Sequence, residues 1–461
     1  MIRLRILNLL LGDILLLGGN YLLVALILIE FRTLAFVDLE EFLLLEGGWL
    51  QILTLVASQV WVIYWLGLYD QIRVRSRRVL TEDLLLVFGT SFLIQAISSY
   101  SKLNLTTSRW IMIFGSATGF VVMICWRVLY THMLVRFLGR QRVLLWGNGR
   151  LARELALHIS EHPEKGYEVI GFVDEEQSEE PVPGVPRIHS EEEFYQQILG
   201  LRPDRICVYT QLQTNPKLEL ELLRCSTAGV RVESLSLLYE DLFQQVPLEM
   251  VTVNQLVFSA TLRPRMWVVM CQEIYGRAIA IAGIFLTWPL MALTAIAVRL
   301  DSPGPALLKQ RRVGRNGIVF EILKFRSMFV DADARFGRKR ANDNDPRITR
   351  VGWFIRRTRL DELPQFFNVL AGDMALVGPR PEIPVYVEEL AQKLPLYVQR
   401  HRVKPGITGW AQLHHVPENT IADTKRKVQY DLYYIKNMSL GMDLIIMFHT
   451  IRTILLRVGA R

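Results

Sequence analysis

The chain has 461 residues, 51% of them hydrophobic, and 53 Lys and Arg against 45 Asp and Glu, for a formal net charge of +8. That length implies two or three domains rather than one core. Four cysteines (Cys125, Cys207, Cys225 and Cys271) without a CxxC pair argue against a disulfide framework or a structural zinc site and fit a reducing compartment. The basic residues flank apolar segments and form no stripe interleaved with aromatics, which argues against nucleic acid as a partner. The positive balance suits the cytoplasmic side of a membrane protein, or a face for anionic phosphates and lipids.

Residues 8–30, 50–68, 83–100 and 109–135 are each apolar enough to span a bilayer, which takes about 20 helical residues. The first apolar run is too long for a cleavable signal peptide and no small-x-small site follows it. Arg3 and Arg5 precede the first span. Arg73, Arg75, Arg77 and Arg78 lie between the second and third, and Arg136, Arg140 and Arg142 follow the fourth. These loops are therefore expected on the cytoplasmic face. Asp13 reads as a helix-end carboxylate near the interface rather than a transport site.

Residues 141–262 read as an α/β domain. Strands are expected at 142–146, 169–173 and 205–209, alternating with helices, which predicts a parallel sheet. Gly147-x-Gly149-x-x-Ala152 follows the first strand and Asp174 ends the second. This is the spacing of a nucleotide-binding turn with a ribose-binding acid. The same glycines also serve if they only make the strand-to-helix turn of a scaffold.

Residues 272–300 form a further apolar segment with Pro289 inside it. Arg263, Arg265 and Arg277 stand before it or at its start, and Arg299, Lys309, Arg311 and Arg312 stand at its end or after it. Basic residues at both ends, and a proline that removes a backbone hydrogen bond, predict a re-entrant helix that bends at Trp288-Pro289 and returns to the cytoplasmic face, with a kinked full crossing as the alternative. Met442–Val458, apolar with Arg452 and Arg457 interleaved, suits a helix lying on the membrane surface.

The densest chemistry follows. Lys324-Phe325-Arg326-Ser327-Met328 ends a strand-like stretch. Arg356-Arg357-Thr358-Arg359 leads into Leu360-Asp361-Glu362-Leu363-Pro364-Gln365. Gly378-Pro379-Arg380-Pro381 and Lys404-Pro405-Gly406-Ile407-Thr408-Gly409-Trp410 come after. Adjacent carboxylates with an arginine-bearing loop suit phosphoryl chemistry: one attacks phosphorus, its neighbour helps hold a divalent metal, and the arginine neutralises phosphate oxygens. The bland alternative is an acidic pair complementing a helix dipole. His401, His414 and His415 lack metal-ligand partners at suitable spacing.

This ordered set of motifs resembles the bacterial sugar transferases, the polyprenyl-phosphate sugar-1-phosphate transferases, in their large monotopic form. The resemblance implies a four-helix membrane domain (1–140), a Rossmann-like α/β domain (141–262) and an α+β catalytic domain with a re-entrant helix (263–461). It implies transfer of sugar-1-phosphate from a nucleoside-diphosphate sugar such as a UDP-hexose to polyprenyl phosphate, through an intermediate on Asp361. Glu362 would assist with Mg2+, and Arg380, Arg356, Lys324 and Arg326 would contact phosphate. The family usually carries Ser-Pro where this chain has Trp288-Pro289, leaving Thr287 to supply a hydroxyl. Implied partners are the lipid bilayer, a second copy of the chain and downstream glycosyltransferases, at the bacterial inner membrane with the catalytic domain on the cytoplasmic face. The rival readings are a membrane-anchored nucleotide-sugar dehydratase or epimerase, disfavoured because no tyrosine is followed by lysine four residues on, and a non-catalytic assembly protein.

Overall fold

The computed structural model describes residues 2–31, 39–45, 47–66, 68–69, 77–99, 108–138, 140–147, 149–173, 185–188, 194–209, 216–251, 264, 266–330, 345–414 and 420–456. Asp174, Arg73, Arg75, Arg263, Arg265, His415 and Arg457 lie outside the described residues. The chain forms two compact units, Met1–Leu238 and Tyr239–Arg461.

The first unit begins with four long helices: α1 (Ile2–Glu30), α2 (Gly48–Trp65), α3 (Arg77–Ser99) and α4 (Arg109–Leu138). Helix α1 packs on α2 and α4, and α3 packs on both α2 and α4. Leu7–Glu30, Gly48–Trp65 and Arg109–Thr131 are long and apolar enough to cross a membrane, whereas the apolar stretch within α3 is the shorter Asp83–Gln95. Asp13 is not the helix-end residue expected. It is fully buried and bonded to the Arg127 guanidinium at 2.6 Å and to the Trp126 indole N–H at 2.9 Å. Arg127 also donates to the Leu68 carbonyl at 3.0 Å. A charge removed from water needs such pairing.

An α/β layer follows: β1 (Gln141–Trp146), α5 (Gly149–Glu161), β2 (Tyr167–Val173), β3 (Arg187–Ile188), α6 (Phe194–Leu201), β4 (Arg205–Val208), α7 (Pro216–Thr227) and β5 (Arg231–Ser234). All strand pairs are parallel, in the order β3-β2-β1-β4-β5. Val143, Leu144, Leu145 and Trp146 are buried, which explains the uninterrupted apolar run of the central strand. Gly147 turns the chain toward α5 at φ 109°, its N–H bonded to the Val173 carbonyl at 3.0 Å. Ala152 is buried beneath the start of α5.

Helix α8 (Leu235–Phe243) crosses the sequence boundary between the units. The second unit is organised on α9 (Met266–Asp301), followed by β6 (Leu307–Val313), β7 (Val319–Phe325), α10 (Arg350–Arg357), α11 (Gln365–Ala371), β8 (Ala375–Val377), α12 (Pro384–Lys393), β9 (Gly406–Thr408), α13 (Trp410–Leu413), α14 (Ile421–Lys436) and α15 (Leu440–Leu456). Strands β6 and β7 form an antiparallel pair, and β8 and β9 a parallel one. The core gathers Val268 of α9, Ile322 of β7, Val369 of α11, Leu376 of β8, Val428 and Tyr434 of α14, and Ile446 of α15.

Helix α9 runs through Pro289 without interruption. Proline has no N–H to offer the carbonyl of Phe285. The Thr287 hydroxyl donates to Gly283 O at 2.7 Å, so it serves a neighbouring carbonyl rather than the one proline leaves unbonded. Around this point Phe285, Leu286 and Trp288 are 78%, 81% and 58% exposed.

Arg127→Met should lower stability by about 3–5 kcal/mol because it strands the buried Asp13 charge. Asp13→Asn combined with Arg127→Met should recover part of that loss. Thermal unfolding of the detergent-solubilised chain checks both.

Candidate active site

Helix α10 starts with a cap: the Thr349 hydroxyl accepts from Gly352 N at 2.9 Å. It stops before Arg359, whose φ of 60° is left-handed, an unfavourable conformation for a residue carrying a Cβ. The reversal feeds a single 3-10 turn, Leu360–Glu362. Leu360 and Leu363 pack against Met291, Val298, Phe325 and Ile355, anchoring the turn on both sides of Asp361 and Glu362.

Three cations converge on one oxygen of Glu362. Arg380 Nη2 donates to Oε1 at 2.7 Å, Arg359 Nη1 lies at 3.5 Å and Lys324 Nζ at 3.9 Å. Burial alone would raise the Glu362 pKa, but Arg380, Lys324 and Arg359 outweigh it and hold it down at about 2. Asp361 goes the other way. Burial and then the Glu362 charge push it up to about 6, against the pull of Lys324, Arg359 and Arg380. Lys324 is lowered to about 8 by burial and by Arg380, with Glu362 and Asp361 opposing. Oδ1 of Asp361 is buried with no hydrogen-bond partner among the described residues. The turn therefore pairs one neutralised carboxylate with one that keeps an uncommitted oxygen.

The Arg380 loop is held by backbone contact. In the β8–β9 pair, Gly378 N donates to Thr408 O at 2.8 Å and Gly406 N to Pro379 O at 3.1 Å. A Cβ on Gly406 would fall 2.1 Å from Gly378 N, so only glycine permits this approach. Arg400, 2% exposed, pairs with Asp431 of α14 at 2.7 Å. It also donates to the Arg380 carbonyl at 2.9 Å and to the Tyr397 hydroxyl at 2.9 Å. From the other side Arg312 of β6 donates to the Pro381 carbonyl and to Glu382, at 3.1 and 3.2 Å.

The structure thus brings together Asp361, Glu362, Lys324 and Arg380. Arg326 does not join them. Its guanidinium donates to the carbonyls of Pro303, Ser302 and Val298 and to the Ser302 hydroxyl. That caps the C-terminal end of α9, where backbone carbonyls lack helical partners. Arg356 makes no ion pair with them among the described residues; its charge adds to the Arg347 hydrogen bonds that chiefly lower the pKa of Asp345. Trp288 and Pro289 lie at the exposed middle of α9. Gly147, Gly149 and Ala152 belong to the other unit.

Three residues at this site were not singled out from sequence. Arg359 supplies a cation from within a run of arginines. Arg400 positions the Arg380 loop from a buried ion pair. Gln365 is 1% exposed with its Nε2 unpartnered among the described residues, leaving a donor near the turn. For a cation, the uncommitted Asp361 oxygen beside a second carboxylate gives the all-oxygen donors that a hard divalent ion takes. Elsewhere, His158, Glu161 and His162 bring donor atoms within 4.8 Å of one another.

The family model for bacterial sugar transferases matches residues 267–457, and that for a CoA-binding domain matches residues 64–198. The chain is 30% identical over 380 residues to an undecaprenyl-phosphate galactose phosphotransferase of Salmonella typhimurium, covering 77% of this chain and 76% of that one. The chain belongs to the bacterial sugar transferase family. The chain spans about half to two thirds of the length of two further relatives. It is 44% identical to a UDP-N-acetylgalactosamine-undecaprenyl-phosphate N-acetylgalactosaminephosphotransferase of Aeromonas hydrophila, over 52% of this chain and 56% of the relative. It is 32% identical to a UDP-glucose:undecaprenyl-phosphate glucose-1-phosphate transferase of Xanthomonas campestris, over 68% of this chain and 66% of the relative.

Gly406→Ala should cost about 1–3 kcal/mol, the usual penalty of overpacking, because the added methyl meets backbone rather than a yielding side chain. Its melting temperature against the parent chain measures that cost.

Proposed function

We propose that the chain transfers sugar-1-phosphate from a UDP-hexose to polyprenyl phosphate, with Asp361 as the nucleophile. The observation that carries this reading is the divergence of the two carboxylates: Glu362 is locked by Arg380, Arg359 and Lys324, while Asp361 Oδ1 is uncommitted. An Asp361 oxygen forms a bond to the sugar-bearing phosphorus as the phosphoanhydride bond breaks and UMP leaves with the electron pair. Polyprenyl phosphate oxygen then attacks the same phosphorus, returning the carboxylate and giving a polyprenyl diphosphate sugar. Arg380, Arg359 and Lys324 supply positive charge to the phosphate oxygens in both steps. Asp361 and Glu362 would hold Mg2+, which neutralises diphosphate charge when bound. A covalent intermediate lets the water-soluble donor and the membrane-bound acceptor use the site in turn.

The relatives carry UDP-N-acetylgalactosamine, UDP-glucose and galactose in their names, which supports a hexose-type donor. One relative is an exopolysaccharide production protein of Rhizobium leguminosarum. That supports a role in initiating exopolysaccharide or O-antigen synthesis, upstream of further glycosyltransferases. On this reading the enzyme works at the cytoplasmic face of the bacterial inner membrane.

Re-entry of α9 is part of the same proposal. Its N-terminal end bonds α15 and α14 through Gln272 to Asp443 and Tyr434. Its C-terminal end bonds α10 through Asp301 to Val351 N. Elements of one compact unit thus engage both ends of a helix whose middle is exposed and apolar, and a full crossing would divide them between two sides of the bilayer.

Mixing enzyme with UDP-hexose in the absence of acceptor should release a burst of UMP equal to the enzyme present, and Asp361→Asn should abolish it without altering thermal unfolding. Because only ionised Asp361 attacks, the burst rate should fall as pH drops through about 6, or through a lower value with the cation bound. A rate that rises on acidification contradicts this role.

Cysteines placed at the exposed position 305 and at 264 should both resist a membrane-impermeant reagent added to intact cells and react after permeabilisation. External labelling at position 305 would mean that α9 crosses.

A further inference from the structure

A second cationic site lies at the far end of α11 from the carboxylate turn. A small cleft is lined by Arg277 on α9, Arg315 in the turn between β6 and β7, and Arg402 and Lys404 ahead of β9, with Glu273 as its acid. Lys404 Nζ pairs with Glu273 at 2.7 Å, and Arg402 Nε donates to Gln399 at 2.6 Å. Four cations thus face one carboxylate, leaving a surplus of positive charge in a concave site. The Glu273 pKa is lowered by its Lys404 hydrogen bond and by the charges of Lys404, Arg277 and Arg315.

The groups also converge. Gly372 ends α11 at φ 92°, and Arg277 Nη2 and Lys404 Nζ both come within 3.8 Å of the point where a Cβ on Gly372 would sit. Arg315 Nε is buried with no hydrogen-bond partner among the described residues. A guanidinium N–H withdrawn from water and left unbonded calls for an acceptor. The site does not coincide with the transfer centre. Asp361 and Gly372 lie beyond opposite ends of α11, whose seven residues alone span roughly 10 Å at helical rise.

We propose that this cleft binds a phosphate group as a second anion site, distinct from the Asp361 centre. Guanidinium forks and an ammonium match the oxygens of a phosphate. On α9, Trp267, Met270, Ile274 and Ile281 beside the cleft are exposed, so an acyl or prenyl chain attached to that phosphate has an apolar surface to follow. The same chemistry admits a soluble phosphate, and the experiment separates the two sources.

The full chain, purified in uncharged detergent without sugar nucleotide, is mixed with equal amounts of phosphatidylglycerol and phosphatidylcholine, and bound lipid is read by native mass spectrometry. One phosphatidylglycerol should be retained in preference to phosphatidylcholine. Arg277→Gln with Arg315→Gln should weaken retention about tenfold or more, the loss expected for a charge-assisted hydrogen bond. Glu273→Gln should strengthen it, a change that misfolding does not produce. Displacement of the lipid by millimolar inorganic phosphate or UDP would identify a soluble phosphate as the ligand and still support the site. Equal retention of both lipids with no binding of phosphate or UDP would overturn it, as would unchanged retention in both variants. Asp361→Asn should retain lipid as the parent does, so failure of the transfer mechanism and failure of this site are separable.

Discussion

The Arg400 guanidinium, buried beside Asp431 with both side chains 2% exposed or less, ties the C-terminal helices to the loop that carries Arg380. Removing such a pair from water is costly, and further hydrogen bonds offset part of that cost. Here Nη1 donates to Tyr397 and Nη2 to the Arg380 carbonyl, while Nε has no hydrogen-bond partner among the described residues. Fixing the carbonyl fixes where the Arg380 side chain begins, and so how it reaches Glu362. The neutralised Glu362 in turn sets the field felt by Asp361. The site is thus arranged by charge from the core outward, with α14 as the anchor.

Much of this was legible in the sequence where one residue type has one physical use. The apolar runs of β1 and β2 could only be buried strands of a parallel sheet. Adjacent Asp361 and Glu362, with Lys324 and Arg380 in flanking motifs, pointed to one charged cluster, and the structure brings the four together. Less was legible where geometry decides among equals. Arg356, Arg357 and Arg359 read alike as text, and only the left-handed backbone at Arg359 brings that guanidinium toward Glu362. Lys324 and Arg326 share a face if the strand continues. It ends at Phe325, and Arg326 turns to the carbonyls at the end of α9. Asp13 found its counter-charge 114 residues away, beyond any local pattern, and β5 was missed because Arg231-Val232-Glu233-Ser234 carries no apolar run.

The long helix α9 joins two environments. Gln272 and Tyr275 near its start bond the buried Asp443, a carboxyl that burial pushes up to about 6 despite the three donors around it. Val298 near its other end is buried with the residues under the carboxylate turn. The elements that shape the chemistry therefore lean on a helix whose middle still leaves Phe285, Leu286 and Trp288 exposed.

Residue 359 answers two demands that no side chain meets together. Its backbone geometry favours glycine or asparagine, which relieve the crowding of a Cβ in the left-handed region. Its location favours a long cation, which only arginine or lysine provides. Arginine stands there, so local strain is tolerated at the joint between α10 and the turn in exchange for field strength. Conformational ease and reactivity are set against each other at a single hinge, two residues from the proposed nucleophile.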